Sequence, residues 1–288
     1  MNTLDEQYLN ICKRILNEGV RKENRTGVDT IATTGLSIRH DMSSGFPLLT
    51  TKKVAYKSCR VELEGFIKGI TSKKWFQERG CTIWNEWCNP HKVPYGNDEE
   101  TKQKMLEEDD LGRIYGAQWR MFGDGLVTDS FYKVDQLQNI VDTLKNNPND
   151  RRMICSAWNP IDLSDMALPP CHFAWQVIVV GDRLDLIWNQ RSCDFFLGIP
   201  FNIASYGTLL HLLAKQANLK EGILTGHFGD CHLYENSIDA ITEQSKREPY
   251  DLPTIETQNF KSVFDWEYSD TKLVGYKSHP SIKVEVAV

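Results

Sequence analysis

The chain has 288 residues, 41% of them hydrophobic and 25% charged, with a formal net charge of −6. That length accommodates one large α/β or α+β domain, or two small ones, and the negative charge disfavours broad contact with nucleic-acid backbone or an anionic membrane. No apolar run is long enough to span a bilayer, and the eight cysteines include no C-x-x-C pair, so zinc-ribbon and thioredoxin-like readings lack support. No secretory segment opens the chain, so reduced thiols in the cytoplasm are expected rather than a disulfide frame.

Residues 4–18 have helical periodicity, with Tyr8, Ile11, Cys12, Ile15 and Leu16 inward and Gly19 as the stop. Arg25-Thr26-Gly27 follows as a polar loop, and Arg25 taken alone reads as a solvated arginine. Residues 30–38 have strand-like Thr and Ile content. A second helix is predicted over residues 51–68, with Val54, Ser58, Val61, Gly65 and Phe66 inward and Gly69 at its end. Glu62 falls beside that stripe, where a carboxylate is either paired at the surface or partly buried with a task. In I-W-N-E-W, residues 83–87, Trp84 and Trp87 read as core aromatics on pattern alone.

Residues 89–110 are polar, acidic and lysine-rich, an inserted loop with a short solvated helix. L-G-R-I-Y-G-A-Q-W-R then supplies Tyr115, and residues 124–130 read as a loop. Residues 133–146 form a predicted helix with Val134, Leu137, Ile140, Val141 and Leu144 at helical spacing, stopped by N-N-P-N-D. Arg151-Arg152 is expected to open a strand, the two side chains facing opposite ways.

Cys171 follows Pro169-Pro170, a stiff and extended entry. Residues 173–180 are rich in β-branched and aromatic side chains, Gly181-Asp182 signals a hairpin, and Leu184, Leu186 and Trp188 share one face of the next strand. Gln190, Arg191, Ser192 and Asp194 are expected where that strand leaves the sheet. Pro200 and Asn202 should precede a helix carrying Tyr206, Leu209, Leu210, Leu213 and Ala217. His232 and Tyr234 share a face if their segment is extended. Val286-Ala287-Val288 is an apolar end, ordinarily a frayed one, and no repeat or linker marks a domain boundary.

The run from Gln190 to Tyr206, Q-R-S-C-D-F-F-L-G-I-P-F-N-I-A-S-Y, together with P-C-H at Pro170–His172, resembles the thymidylate synthase family. R-T-G, I-W-x-E-W, Y-G-x-Q-W-R, R-R, G-D-x-H-x-Y and V-A-V occur in family order over nearly the whole chain. The resemblance implies a single α+β domain over residues 1–288, with a large mixed sheet packed by helices. It also implies a homodimer with sheets back to back. The implied reaction is reductive methylation of dUMP by methylenetetrahydrofolate, a consumed co-substrate, to dTMP and dihydrofolate, with no metal, no membrane and no obligatory nucleic acid.

The resemblance also assigns roles. Cys171 is the nucleophile, with Glu62, Tyr115, Arg191 and Asn202 beside it in the chemistry. Arg25, Arg151, Arg152 and Arg191 suit the phosphate, Arg151 and Arg152 reaching it from the partner subunit. Gln190, Ser192, Asp194, Asn202, His232 and Tyr234 complete the dUMP site. Trp84, Trp87, Asp194, Gly198, Phe201 and Ala287 face the folate. The chain departs from family pattern at Glu64 (often leucine), Gly65 (often tryptophan), Asn85 (usually aspartate) and Ser237 (usually histidine), and the Gly65 change should alter helix packing.

The chemistry of these residues agrees. Adding a thiolate to carbon 6 of uracil makes carbon 5 nucleophilic, which is covalent catalysis. A thiol with an ordinary pKa of about 8.5 needs cationic neighbours for this, and Arg191 is the candidate. Guanidinium forks match phosphate oxygens. An amide such as Asn202 can donate to a uracil carbonyl and accept from its ring N–H. A deoxyuridylate hydroxymethylase would share nearly every residue named. A papain-like hydrolase would need a histidine against Cys171, and His172 should point away. A zinc deaminase lacks its second cysteine after Pro170-Cys171. A non-catalytic nucleotide- or RNA-binding module would not need Cys171 and sits poorly with the acidic charge.

Overall fold

The computed structural model describes residues 2–24, 27–123 and 133–285. Its frame is a six-stranded sheet with spatial order β1-β2-β6-β5-β4-β3. These strands are β1 (Val20–Lys22), β2 (Thr30–Asp41), β3 (Ile154–Ser156), β4 (His172–Val180), β5 (Arg183–Asp194) and β6 (Lys220–Tyr234). Neighbours are antiparallel except β5 and β6, which run parallel and make the sheet mixed. A parallel pair needs a crossover, and helix α7 (Gly198–Ala217) supplies it. A small antiparallel ribbon of β7 (Thr254–Thr257) and β8 (Thr271–Val274) stands apart.

The helices before α7 are α1 (Thr3–Glu18), α2 (Tyr56–Lys68), α3 (Lys73–Glu78), α4 (Glu99–Glu107), α5 (Tyr115–Arg120) and α6 (Gln136–Asn146), and α8 (Ile238–Gln244) follows β6. Alternation in β5 buries Leu184, Leu186 and Trp188 on one sheet face, and Val177 and Trp175 of β4 join them. Helix α7 is buried around most of its circumference, from Ile199 and Ile203 to Leu212 and Leu213. Pro200 lies in its first turn, where its missing N–H breaks no helical bond. The α+β fold with one large mixed sheet packed by helices is therefore as expected from the sequence.

Several boundaries differ from the sequence reading. The helix predicted over 51–68 starts at Tyr56. Before it, the buried Asp5 carboxylate accepts from the backbone N–H of Thr50 and Thr51 and from the Thr51 hydroxyl, and this fixes the chain in a non-helical path. The helix predicted from 133 starts at Gln136, because Asp135 caps it by accepting the Gln138 N–H at 2.9 Å. Val134 instead pairs with Phe122 in an isolated bridge and is exposed, so it leaves the apolar stripe. Arg151 and Arg152 do not open a strand. The Asp150 carboxylate accepts from the Arg152 backbone N–H at 2.8 Å and holds a bend, and the ladder begins at Ile154. Gln190 to Asp194 remain in β5, whose ladder with β6 runs to Asp194↔His232. Pro200 and Asn202 lie inside α7, which starts at Gly198. The loop expected over 124–130 lies outside the described residues.

The departure at Gly65 has a packing reason. A Cβ built on Gly65 would lie 2.3 Å from Cε1 of Phe76 in α3, so an aromatic ring from the next helix fills the space of a side chain. Glu64 is buried beside it, and its carboxylate takes Lys68 Nζ at 2.5 Å and the Tyr268 N–H at 2.8 Å. A leucine there could accept neither bond.

Candidate active site

The parallel pair β5–β6 and the start of β4 bring their ends to one edge of the sheet. Ser192 pairs with Asp230 and Asp194 with His232 at the carboxyl ends of β5 and β6. β4 runs antiparallel to β5, so its first residue His172 pairs with Gln190 at the same edge. Cys171 therefore stands just before β4, beside Arg191, whose N–H donates to the Cys171 carbonyl at 2.8 Å. The carboxyl ends of parallel strands are where open α/β sheets gather their ligands.

Arg191 turns its guanidinium back along the nucleophile segment. Nε donates to the Pro170 carbonyl at 3.0 Å and a terminal nitrogen to the Pro169 carbonyl at 2.8 Å. The guanidinium also lies 5.5 Å from the Trp158 ring centroid. A fixed positive charge thus runs alongside Cys171, as thiolate formation requires.

The Cys171 N–H donates to the Tyr115 hydroxyl oxygen at 2.8 Å. Tyr115 opens α5, and α5 meets α2 closely because Gly116 has no side chain: a Cβ there would lie 2.4 Å from Phe66 Cα. The approach stacks the Tyr115 ring on Phe66 at 4.8 Å and on His172 at 4.3 Å. Burial raises the Tyr115 pKa well above the phenol range, so the hydroxyl keeps its proton near neutral pH. His172 is buried, bonds Tyr206 at 2.9 Å through Nδ1, and is pushed down to about 3 by desolvation. A ring this weakly basic, stacked in an aromatic cluster with Nδ1 on Tyr206, is no effective partner base for Cys171, which argues against the thiol-hydrolase reading.

Glu62 in α2 is buried, and Oε1 accepts the Trp84 indole N–H at 3.0 Å. Desolvation pushes its pKa up to about 7, against a smaller lowering from that bond. A carboxyl that titrates near neutrality can hold or release a proton during turnover. Trp84 is buried and Trp87 half-buried, the latter with its ring 6.1 Å from Tyr95.

On the other side, Gln190 Nε2 donates to the Asn202 Oδ1 at 3.0 Å and to the Ser192 carbonyl at 3.0 Å. The Asn202 amide is thereby held in one orientation. Asp194 Oδ1 accepts the N–H groups of Phe196 and Leu197 at 2.9 and 3.1 Å, a turn that launches α7. A Cβ on Gly198 would stand 3.7 Å from Asp194 Cβ and 3.9 Å from Asn202 Oδ1, so these three positions adjoin. Burial raises the Asp194 pKa, opposed by its backbone bonds and nearby His232 and Lys52. His232 commits Nδ1 to Asp230 at 2.9 Å, and its ring meets Tyr234 edge-on at 5.4 Å. Phe201 in α7 is half-buried against the core.

Residues 6–288 match the family model described as thymidylate synthase. The chain belongs to the thymidylate synthase family. It is 43% identical over 293 residues to a bifunctional dihydrofolate reductase-thymidylate synthase of Paramecium tetraurelia, covering 99% of this chain and 61% of that protein. It is 41% identical over 321 residues to a thymidylate synthase of Staphylococcus haemolyticus (strain JCSC1435), covering the whole of both.

Among the thymidylate synthase positions read from sequence, Cys171, Tyr115, Glu62, Arg191, Gln190, Ser192, Asp194, Asn202, Gly198, His232 and Tyr234 lie on the elements that meet at this edge. Arg151 and Arg152 are exposed beside β3, and the Arg152 Nε bonds Asp150 at 3.0 Å. Arg25 and Ala287 lie outside the described residues. Asn85 accepts from Gln77 at 3.0 Å, and Ser237 is buried with its hydroxyl on the Tyr234 carbonyl at 2.7 Å.

Sequence reasoning passed over Lys52. Its buried ammonium lies 3.5 Å from the Phe196 ring centroid and donates to the Phe196 carbonyl, and burial pushes its pKa down to about 8. In T-T-K-K nothing separates it from an ordinary solvated lysine. Among the described residues no cluster of His, Cys, Asp or Glu could hold a metal ion, and no helix is long and apolar enough to cross a membrane.

Proposed function

We propose that the protein methylates dUMP reductively to dTMP, with methylenetetrahydrofolate as co-substrate and dihydrofolate as the second product, and that the residues gathered around Cys171 carry the reaction. The observation that supports this most is the Cys171 segment itself, bonded at once to Arg191 and Tyr115. It lies at the strand edge that also carries the Gln190–Asn202 amide pair.

The Cys171 thiolate adds to carbon 6 of uracil, and the ring electrons move through carbon 5 to the carbonyl oxygen. Asn202 steadies that oxygen and the ring N–H, with Gln190 fixing the amide's direction. Glu62, titrating at about 7, exchanges protons with the pyrimidine oxygen and the folate through water. Tyr115 stays protonated, so it takes the carbon 5 proton only while passing its own proton onward. The folate supplies the one-carbon unit and a hydride. Trp84, Trp87, Asp194, Gly198, Phe201 and Ala287 would hold it: the half-buried Trp87 offers a ring face, and Asp194 an acceptor for pterin N–H groups. Ser192 and Arg191 bind the phosphate with Arg25, and His232 offers Nε2 to a sugar hydroxyl beside Tyr234, its Nδ1 being held by Asp230. Departure of the Cys171 thiolate from carbon 6 restores the ring.

We further propose that residues 1–288 act as one catalytic domain within a homodimer, with Arg151 and Arg152 reaching the partner's phosphate site. Ile154, Gln176, Ile187, Thr225 and Arg39 form one row across five strands on the sheet face away from Leu186 and Trp188. Ile154 is 51% and Val180 57% exposed on this face, apolar area that a second copy would bury. Arg152 stands at its rim. A cytoplasmic location belongs to the same proposal, because the chemistry needs Cys171 reduced.

The test is product analysis with dUMP and methylenetetrahydrofolate. The expected result is dTMP and dihydrofolate in equal amounts, followed by mass spectrometry and absorbance. Hydroxymethyl-dUMP without dihydrofolate would instead establish the hydroxymethylase reading.

A further inference from the structure

Segment 89–110 supplies no group to the chemistry above, yet it is bonded to the turn that carries both tryptophans. Its ends are closed by Asn89, whose N–H donates to the Asp110 carbonyl at 2.8 Å, and by Lys92, which pairs with Asp110 at 2.9 Å. The Ser72 hydroxyl and the Lys74 N–H both donate to the Asp109 carboxylate, which ties the segment to the start of α3.

Lys73 is the first connection inward. It is 1% exposed. Its Nζ donates to the carbonyls of Asn85 at 3.3 Å, Trp87 at 2.9 Å and Met105 at 2.6 Å. A lysine ammonium has three N–H groups, and all three are used here. Two of the acceptors belong to the tryptophan turn and the third to α4. A buried charge with three carbonyl acceptors is a strong tie, since losing it leaves those acceptors unsatisfied.

Tyr95 is the second connection. Its hydroxyl lies against the Cys88 carbonyl at 2.7 Å and the Ala167 carbonyl, and its ring packs 6.1 Å from Trp87. Ala167 precedes Leu168-Pro169-Pro170, the stiff entry to Cys171. One phenol therefore touches the tryptophan turn and the nucleophile segment together.

We propose that segment 89–110 is a clasp on the folate side of the site, and that Lys73 and Tyr95 are positioning residues that hold Trp87 and its turn in register with Cys171. The proposal rests on the thymidylate synthase reading. The distance between an aromatic wall and a nucleophile matters steeply, since a misplacement of about 1 Å can cost on the order of 100-fold in rate. The uracil and phosphate contacts at Arg191, Ser192 and Asn202 come from β5 and α7, whereas the Lys73 and Tyr95 bonds named above run to the tryptophan turn, α4 and the segment before Cys171.

The experiment compares wild type, Tyr95→Phe and Lys73→Met, with KM for methylenetetrahydrofolate, kcat and the dUMP Kd measured for each. Tyr95→Phe removes one oxygen and keeps the ring, so it tests the tie while preserving the ring's packing on Trp87. Both variants should raise the folate KM roughly tenfold and lower kcat, with the dUMP Kd within about twofold of wild type. Unchanged folate KM and kcat in both variants, with an active wild type, would overturn the clasp. Equal weakening of dUMP and folate would also overturn it, because a loss of general stability has no reason to spare one ligand. A wild type that makes no dTMP would overturn the function reading itself, so the two failures are distinguishable.

Discussion

Replacing Glu62 by glutamine keeps the side chain's size and an oxygen to accept the Trp84 indole N–H, and removes the titration. Burial raises the Glu62 pKa from the ordinary 4.5 to about 7. At about 1.4 kcal/mol per unit, that difference corresponds to about 3 kcal/mol. The sign follows from proton counting. Between about pH 4.5 and 7 the unfolded chain has lost the Glu62 proton and the folded chain keeps it, so stability falls as pH rises through this window and levels above it. Glu62→Gln lacks this loss. Urea unfolding followed by tryptophan fluorescence, run on both proteins from pH 4.5 to 8, isolates it, because the other groups titrate alike in the two and cancel on subtraction. The wild type should lose about 3 kcal/mol relative to Glu62→Gln between the ends of the window. A stability difference that is constant with pH would refute the assignment of a buried, proton-holding carboxyl. The same variant should also lose the inflection near pH 7 that Glu62 titration gives to the kcat profile.

Two other experiments test the substrate side. Asn202→Asp should shift preference from dUMP toward dCMP by roughly tenfold or more, because a carboxylate cannot donate to the uracil carbonyl and a mispaired buried polar edge costs about 1–3 kcal/mol; steady-state assays with both nucleotides read the ratio, and an unchanged ratio would remove Asn202 as the base reader. If Arg151 serves the partner's phosphate site, inactive Arg151→Ala and inactive Cys171→Ala should recover activity when co-refolded, since one site of the mixed dimer then has both contributions intact. Mixed dimers confirmed by mass spectrometry but without activity would contradict a crossing arginine.

The sheet was legible in the sequence wherever alternation and turn chemistry agreed. Leu184, Leu186 and Trp188 alternate as a half-buried strand must, and Gly181-Asp182 turns the chain between β4 and β5. Element starts were less legible, because single carboxylate side chains set them, one of them from far along the chain. Asp5 holds Thr50 and Thr51 out of helix α2, and no local pattern in T-T-K-K announces a carboxylate more than forty residues away. Asp150 delays β3 through a local bond instead, accepting the Arg152 N–H two residues on. The positions named for the site came from the motif block, and the structure adds their connections: Gln190 on Asn202, Tyr115 on the Cys171 amide, Trp84 on Glu62. Lys52 and Lys73 were not singled out, because a buried lysine and a solvated one are the same letter. Only the carbonyls around them distinguish the two.

The central claim is that Cys171 forms the bond to carbon 6. Incubating the protein with 5-fluoro-dUMP and methylenetetrahydrofolate tests it most directly, since fluorine at carbon 5 cannot leave as a proton and the covalent complex accumulates. Mass spectrometry of the digested complex should place the nucleotide on the peptide containing Pro170-Cys171-His172, and Cys171→Ser should form none. An adduct on any of the other seven cysteines, or an adduct that persists in Cys171→Ser, would contradict the account.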